Sequence, residues 1–118
     1  MAEHNEKGKR AEDLAKDWLT GKGYIFREAN YRYSHSEIDL IFEYKGLLVF
    51  VEVKFRRSNH FGGAAAAVTL SKQQKLTRTA QCYLQSVGQQ HCRFDVVAIT
   101  EQPADIRWIK NAFAGTAN

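Results

Sequence analysis

From Ser36 to Phe55, SEIDLIFEYKGLLVFVEVKF, apolar and polar positions alternate in two runs, which predicts two strands, each with one better-buried face. In the second run Leu48, Phe50, Glu52, Lys54 and Arg56 fall on one side, and Val49, Val51, Val53 and Phe55 on the other. In the first run Ile38, Leu40 and Phe42 oppose Glu37, Asp39 and Ile41. Lys45-Gly46 is a natural two-residue turn between them, the glycine taking the positive φ that such turns need. Pairing Tyr44 with Leu47 and counting back sets Ile41 across from Phe50, Asp39 across from Glu52, and Glu37 across from Lys54.

Around this hairpin the period changes. Ala11, Leu14, Ala15, Trp18 and Leu19 recur at helical spacing, so Gly8–Leu19 predicts a helix that Gly21 and Gly23 stop. Tyr24–Tyr33 predicts a strand, with a polar turn at Ser34–Ser36. Arg56–Leu70 has no period and is long for a connection in a compact domain, which suggests a functional segment. Ser71, with Gln74 three residues on, reads as the cap of a second helix that buries Leu76, Ala80, Tyr83, Leu84 and Val87 and ends near Gly88. Cys92–Thr100 reads as a central buried strand, Pro103 as a turn, Ile106–Lys110 as a short last strand, and Asn111–Asn118 as a disordered tail. Helix, three strands, helix and two strands make an α/β single domain over residues 1–110, a central mixed sheet flanked by helices.

Composition narrows the function classes modestly. The 118 residues suit one core, and 44% hydrophobic with 25% charged residues is ordinary for a globular chain. No apolar run approaches the roughly 20 residues a membrane-spanning helix needs. The first ten residues lack the apolar stretch of a signal peptide, so the expected location is cytoplasmic and no membrane partner is expected. Cys82 and Cys92 have no zinc spacing and are expected to be reduced. The net charge of +4 fits a phosphate-bearing partner without singling out nucleic acid.

The chemistry follows from the register. Facing residues of an antiparallel pair have Cβ atoms roughly 4.5–5.5 Å apart, where two carboxylates repel. Asp39 and Glu52 so placed are suited to a hard cation, Mg²⁺ or Mn²⁺, with the carbonyl of Val53 as a further oxygen. Lys54 reaches the same space and suits stabilisation of developing negative charge. Glu12, on the first helix, is placed to complete the site from outside the hairpin. The residues alone leave another reading open, in which Asp39 and Glu52 lie on a solvated face and Glu37–Lys54 is a simple cross-strand ion pair. Arg56, Arg57, Lys72, Lys75 and Arg78 cluster around the long loop and the second helix, and suit either phosphate contact or a solvated surface. Asp95 reads as a buried, hydrogen-bonded aspartate, with a supporting metal role as the alternative. The four histidines show no metal spacing.

Asp39 followed by Glu52-Val53-Lys54 resembles the PD-(D/E)XK nuclease signature, with Ile38 where that signature has proline. The ordered blocks GKRAEDLAKDWLTGKGY, SEIDLI, LLVFVEVKFRR, FGGA, SKQQKL and RFDVVAI, spread over most of Gly8–Ile99, are similar to the YraN family of predicted endonucleases, distant relatives of archaeal Holliday junction resolvases. Ser36 stands where that family has glycine. The resemblance implies a restriction-endonuclease-like fold and Mg²⁺-dependent hydrolysis of DNA, with branched or structured DNA as the substrate that its resolvase relatives suggest. It also implies metal ligation by Asp39 and Glu52, catalytic assistance by Lys54, and supporting acids at Glu12 and Glu37. A homodimer would suit cutting of two strands. A binding module without catalysis and an RNA-directed nuclease are the alternative functions.

Overall fold

The computed structural model describes residues 6–57, 68–101 and 104–115. Its elements are α1 (Glu6–Gly21), β1 (Ile25–Tyr33), β2 (Ser36–Tyr44), β3 (Leu47–Arg56), α2 (Leu70–Val87), β4 (Cys92–Glu101) and β5 (Ala104–Phe113). The strands form one sheet in the order β1-β2-β3-β4-β5. Among the described strands only β3 and β4 run parallel, and α2 makes the crossover that a parallel pair requires. This is the mixed α/β sheet flanked by helices that the pattern predicts, and it is consistent with a nuclease-like fold.

One helix covers each face. On the α1 side Ala11, Ala15 and Leu19 pack with Leu40, Phe42, Val49, Val51, Val97 and Ile99. On the α2 side Leu76, Ala80, Tyr83 and Leu84 pack with Ile41, Leu48, Phe50, Phe94 and Val96. Each such apolar side chain, fully buried, contributes roughly 1.5–3 kcal/mol. Leu14 and Val87, expected in these interfaces, are instead largely exposed at 46% and 39%. Leu14 misses the narrow stripe of Ala11, Ala15 and Leu19, and Val87 lies at the very end of its helix.

The hairpin turn is as expected, with Lys45 and Gly46 at φ 52° and 82°. Thr69, and not Ser71, caps α2: its hydroxyl accepts from Lys72 N at 3.2 Å, because the helix begins at Leu70. The last strand is also longer than expected. It runs to Phe113, which stacks on Phe94 at 4.9 Å, so the domain extends past residue 110 and the tail does not begin at Asn111. Gly115 closes on the same ring, where a Cβ would come within 3.1 Å. Most of the irregular Arg56–Leu70 segment and the Pro103 turn lie outside the described residues.

Candidate metal centre and active-site cleft

The site is created where the hairpin opens. Pairing of β2 with β3 runs from Tyr44↔Leu47 to Leu40↔Val51, while β2 stays paired with β1 as far as Ser36. Beyond Leu40 the Asp39 side chain replaces the strand partner: its Oδ2 accepts the Val53 N–H at 2.8 Å. The alternation of faces changes there too. Ile38 joins Ile41 in the α2-side core, whereas strict alternation places it with Leu40 and Phe42. On the neighbouring strand Asn30 sits in the left-handed region at φ 54°, a conformation that asparagine tolerates better than most residues. Ser36 itself is not among the positive-φ residues, although Ser34 is, so serine at position 36 is compatible with the backbone.

This opening gathers three acids from two elements. Glu12 of α1 and Glu37 and Asp39 of β2 bring carboxylate oxygens within 4.8 Å of one another. Asn30 bridges two of them, donating from Nδ2 to Glu12 Oε1 at 3.2 Å and to Glu37 Oε2 at 2.6 Å. Arg32 also pairs with Glu37, at 3.0 Å. Burial pushes the Asp39 carboxyl up to about 8, and the charges of Glu52, Glu12 and Glu37 add to this against the Val53 hydrogen bond. A proton or a cation therefore relieves the cluster.

Glu52 belongs to the same cleft but has different partners. It is 6% exposed. Its Oε2 accepts from Lys72 Nζ of α2 within hydrogen-bonding distance and lies 3.7 Å from Lys54 Nζ. Its Oε1 is buried with no hydrogen-bond partner, an orphaned acceptor of the kind a bound cation satisfies. Burial lowers the Lys54 ammonium, helped by the Lys72 charge, while Glu52 and Asp39 oppose this. Burial works on Lys72 in the same direction, yet the bond and charge of Glu52 outweigh it and raise Lys72 overall. The cleft itself is about 350 Å³, lined by Glu37, Asp39, Glu52, Lys72 and Lys75 among others. The donor set is all oxygen and all acidic, with an orphaned acceptor beside it, and so fits a hard divalent ion.

The other residues singled out from the sequence are distributed as follows. Lys54 touches Glu52 but does not line the cleft. Lys75 lines it, and Arg78 lines an adjoining groove. Arg56 and Arg57 are exposed at the end of β3. Asp95 lies in a separate network, taking up Arg93, Trp108 and Asn111, so its environment is structural and does not join the acid cluster. Cys82 and Cys92 are free thiols. Two residues were not foreseen in these roles. Asn30 is one; an asparagine inside a strand pattern was its only signal. Lys72 is the other, since nothing local in the sequence shows that the first turn of α2 meets Glu52. No helix among the described residues is long and apolar enough to cross a membrane.

Comparison with known proteins agrees with the sequence blocks. The profile of "Uncharacterised protein family UPF0102" matches residues 11–99. A UPF0102 protein of Saccharophagus degradans is 50% identical over 116 residues, covering 96% of this chain and 97% of the relative. One of Enterobacter sp. (strain 638) is 50% identical over 107 residues, covering 87% and 80%. One of Vibrio parahaemolyticus is 44% identical over 110 residues, covering 91% of each. The chain belongs to the uncharacterised protein family UPF0102, the YraN family.

Proposed function

We propose that this protein is a divalent-metal-dependent endonuclease that hydrolyses phosphodiester bonds in DNA, with branched or otherwise structured DNA as its substrate. One observation carries the reading. Asp39 stands where the hairpin opens, next to Glu12 and Glu37, in a cleft that also holds Glu52 and two lysines. A solvated sheet face would not bury Glu52 or raise Asp39 to about 8.

Asp39 and Glu52 would hold the ion, with the Val53 carbonyl beside them and Glu12 and Glu37 as supporting acids. Mg²⁺ or Mn²⁺, when bound, supplies an acidified water and neutralises charge on the phosphate. The chain's own groups do the rest. The Val53 N–H fixes the orientation of Asp39. Lys72 and Lys54 supply positive charge next to Glu52, where negative charge grows on the phosphate oxygens. Lys75, on the same cleft, holds a phosphate of the substrate. Cutting both strands would use two such sites, in a homodimer.

The choice of structured DNA rests on the family's likeness to junction resolvases and not on the geometry. A second reading is favoured by the bond between Lys72 and Glu52, which neutralises a ligand acid internally. It makes the protein a nucleic-acid-binding module without catalysis. A panel of linear, nicked, flapped and four-way DNA, with an RNA counterpart, separates the two when run with Mg²⁺ or Mn²⁺ beside Glu52→Gln. The endonuclease reading expects metal-dependent cutting that disappears in a folded Glu52→Gln protein. Equal activity in parent and variant sinks it. Binding that survives Asp39→Ala, without cutting by the parent, establishes the module instead.

A further inference from the structure

The cleft does not end at the acids. His35, Ser36 and Lys75 line both it and a second groove of about 380 Å³, so the two adjoin. The second groove is bounded by Tyr33 and Ser34 from the end of β1 and its turn, and by Arg78 and Thr79 from α2. Among the described residues no carboxylate lines it. The acidic character of the first cleft therefore gives way, across the shared residues, to basic and aromatic character.

We infer that this second groove binds a single-stranded segment of nucleic acid flanking the bond in the acidic cleft, with Tyr33 stacking on a base and Lys75 and Arg78 holding phosphates. This rests on the endonuclease reading for what happens in the first cleft, but the groove's own affinity does not depend on cleavage. Three features point to a strand. Tyr33 is a large aromatic residue left 47% exposed, while Tyr31, two residues earlier on the same face, is packed on Tyr83 at 5.1 Å. Lys75 and Arg78 are three residues apart on α2, hence neighbours on one helix face. Some exposed basic side chains elsewhere are neutralised by acids, as in Arg27–Glu43, Arg32–Glu37 and Arg107–Asp105. Lys75 and Arg78 pair with no carboxylate among the described residues and remain available to an anion.

Away from its ends a duplex buries its base faces in its own stack and has none to offer Tyr33. A single strand does, and stacking tolerates any base. Ser34, at φ 58°, makes the tight turn that sets Tyr33 and His35 at the groove's edge.

The test is fluorescence anisotropy in EDTA with Glu52→Gln as the parent, so that no cutting intervenes. The probes are a blunt duplex and the same duplex carrying a single-stranded overhang. The overhang is expected to bind more tightly, and Tyr33→Ala to weaken overhang binding about tenfold while leaving the blunt duplex unchanged. Tyr33→Phe, which keeps the ring, should restore binding. Replacing Lys75 and Arg78 together by alanine should lower the slope of log affinity against log salt by about 1.4, the amount for two phosphates on a single strand. Tyr33→Ala binding both probes as the parent does, or no preference for the overhang, overturns the groove. Overhang preference without metal-dependent cutting by the unmutated protein leaves the groove standing and removes only the endonuclease.

Discussion

Asp95 on β4 and Asp39 on β2 are the same residue type in one sheet, and their surroundings are opposite. Asp95 is 1% exposed, and both oxygens are taken. Oδ1 accepts from Arg93 Nε at 2.8 Å and from Asn111 N at 2.9 Å; Oδ2 accepts from Arg93 at 2.8 Å and from the Trp108 indole at 2.9 Å. Among the described residues Asp39 has one hydrogen-bond donor, the Val53 N–H; the carboxylates of Glu12 and Glu37 crowd it, and Lys54 and Lys72 act on it through charge alone. A carboxylate given a cation and several donors ties strands together. One kept among other carboxylates costs stability, and persists where something from outside offsets the cost. The first is part of the scaffold, and the second has the character of a site.

Substitution should break the pair apart most visibly. Asp95→Ala leaves the Arg93 guanidinium with the Tyr24 hydroxyl alone and strands two N–H groups, and is expected to cost about 3–5 kcal/mol in urea unfolding. Asp39→Asn keeps an acceptor for Val53 and removes a repelling charge, so in EDTA its stability should equal or exceed the parent's. Comparable losses in the two would show that Asp39 is as structural as Asp95.

The second prediction concerns pH. The folded Asp39 carboxyl is raised to about 8 from an ordinary 3.8, so between those values the folded state holds a proton that the unfolded chain releases. Stability of the metal-free protein should therefore fall as pH rises from 4 to 8. Saturating Mg²⁺ should flatten that slope, and so should Asp39→Asn without metal. Thermal melts at pH 5 and pH 8 read it directly; a parent that gains stability over this range contradicts the assigned cause.

A smaller effect is expected at Asn30. Alanine there loses both carboxylate contacts and must hold φ 54°, at a cost of roughly 1–2 kcal/mol. Asn30→Gly relieves the backbone part alone. If glycine is no better than alanine in urea unfolding, the left-handed backbone is not what selects asparagine.

These contrasts also mark what the sequence made legible. The hairpin could be read because its signals are local: a period of two and a Lys-Gly turn that fix register from Tyr44↔Leu47 inward. The register stops being informative at Asp39, where a side chain takes over a strand's hydrogen bond and Ile38 changes face. No periodicity encodes that exchange. The hairpin register groups Asp39, Glu52 and Lys54 in one space; Asp39 and Glu52 do line one cleft, while Lys54 touches Glu52 from outside its lining. Glu12 and Glu37 gather with Asp39, while Lys72 meets Glu52 only through the packing of α2 against the sheet. The length of β5 escaped for a similar reason: Asn111, at φ 54°, lets the strand continue past its irregularity to Phe113, and only the Asp95 and Phe94 contacts make that worthwhile.

The most direct measurement is titration of free Mn²⁺ by its paramagnetic resonance signal at pH 8, with parent, Asp39→Asn and Glu52→Gln side by side. The parent should deplete the free ion, and each variant should bind at least tenfold more weakly while remaining folded. Identical depletion by all three proteins, or none by the parent at millimolar ion, would contradict a metal centre at the opening of this hairpin.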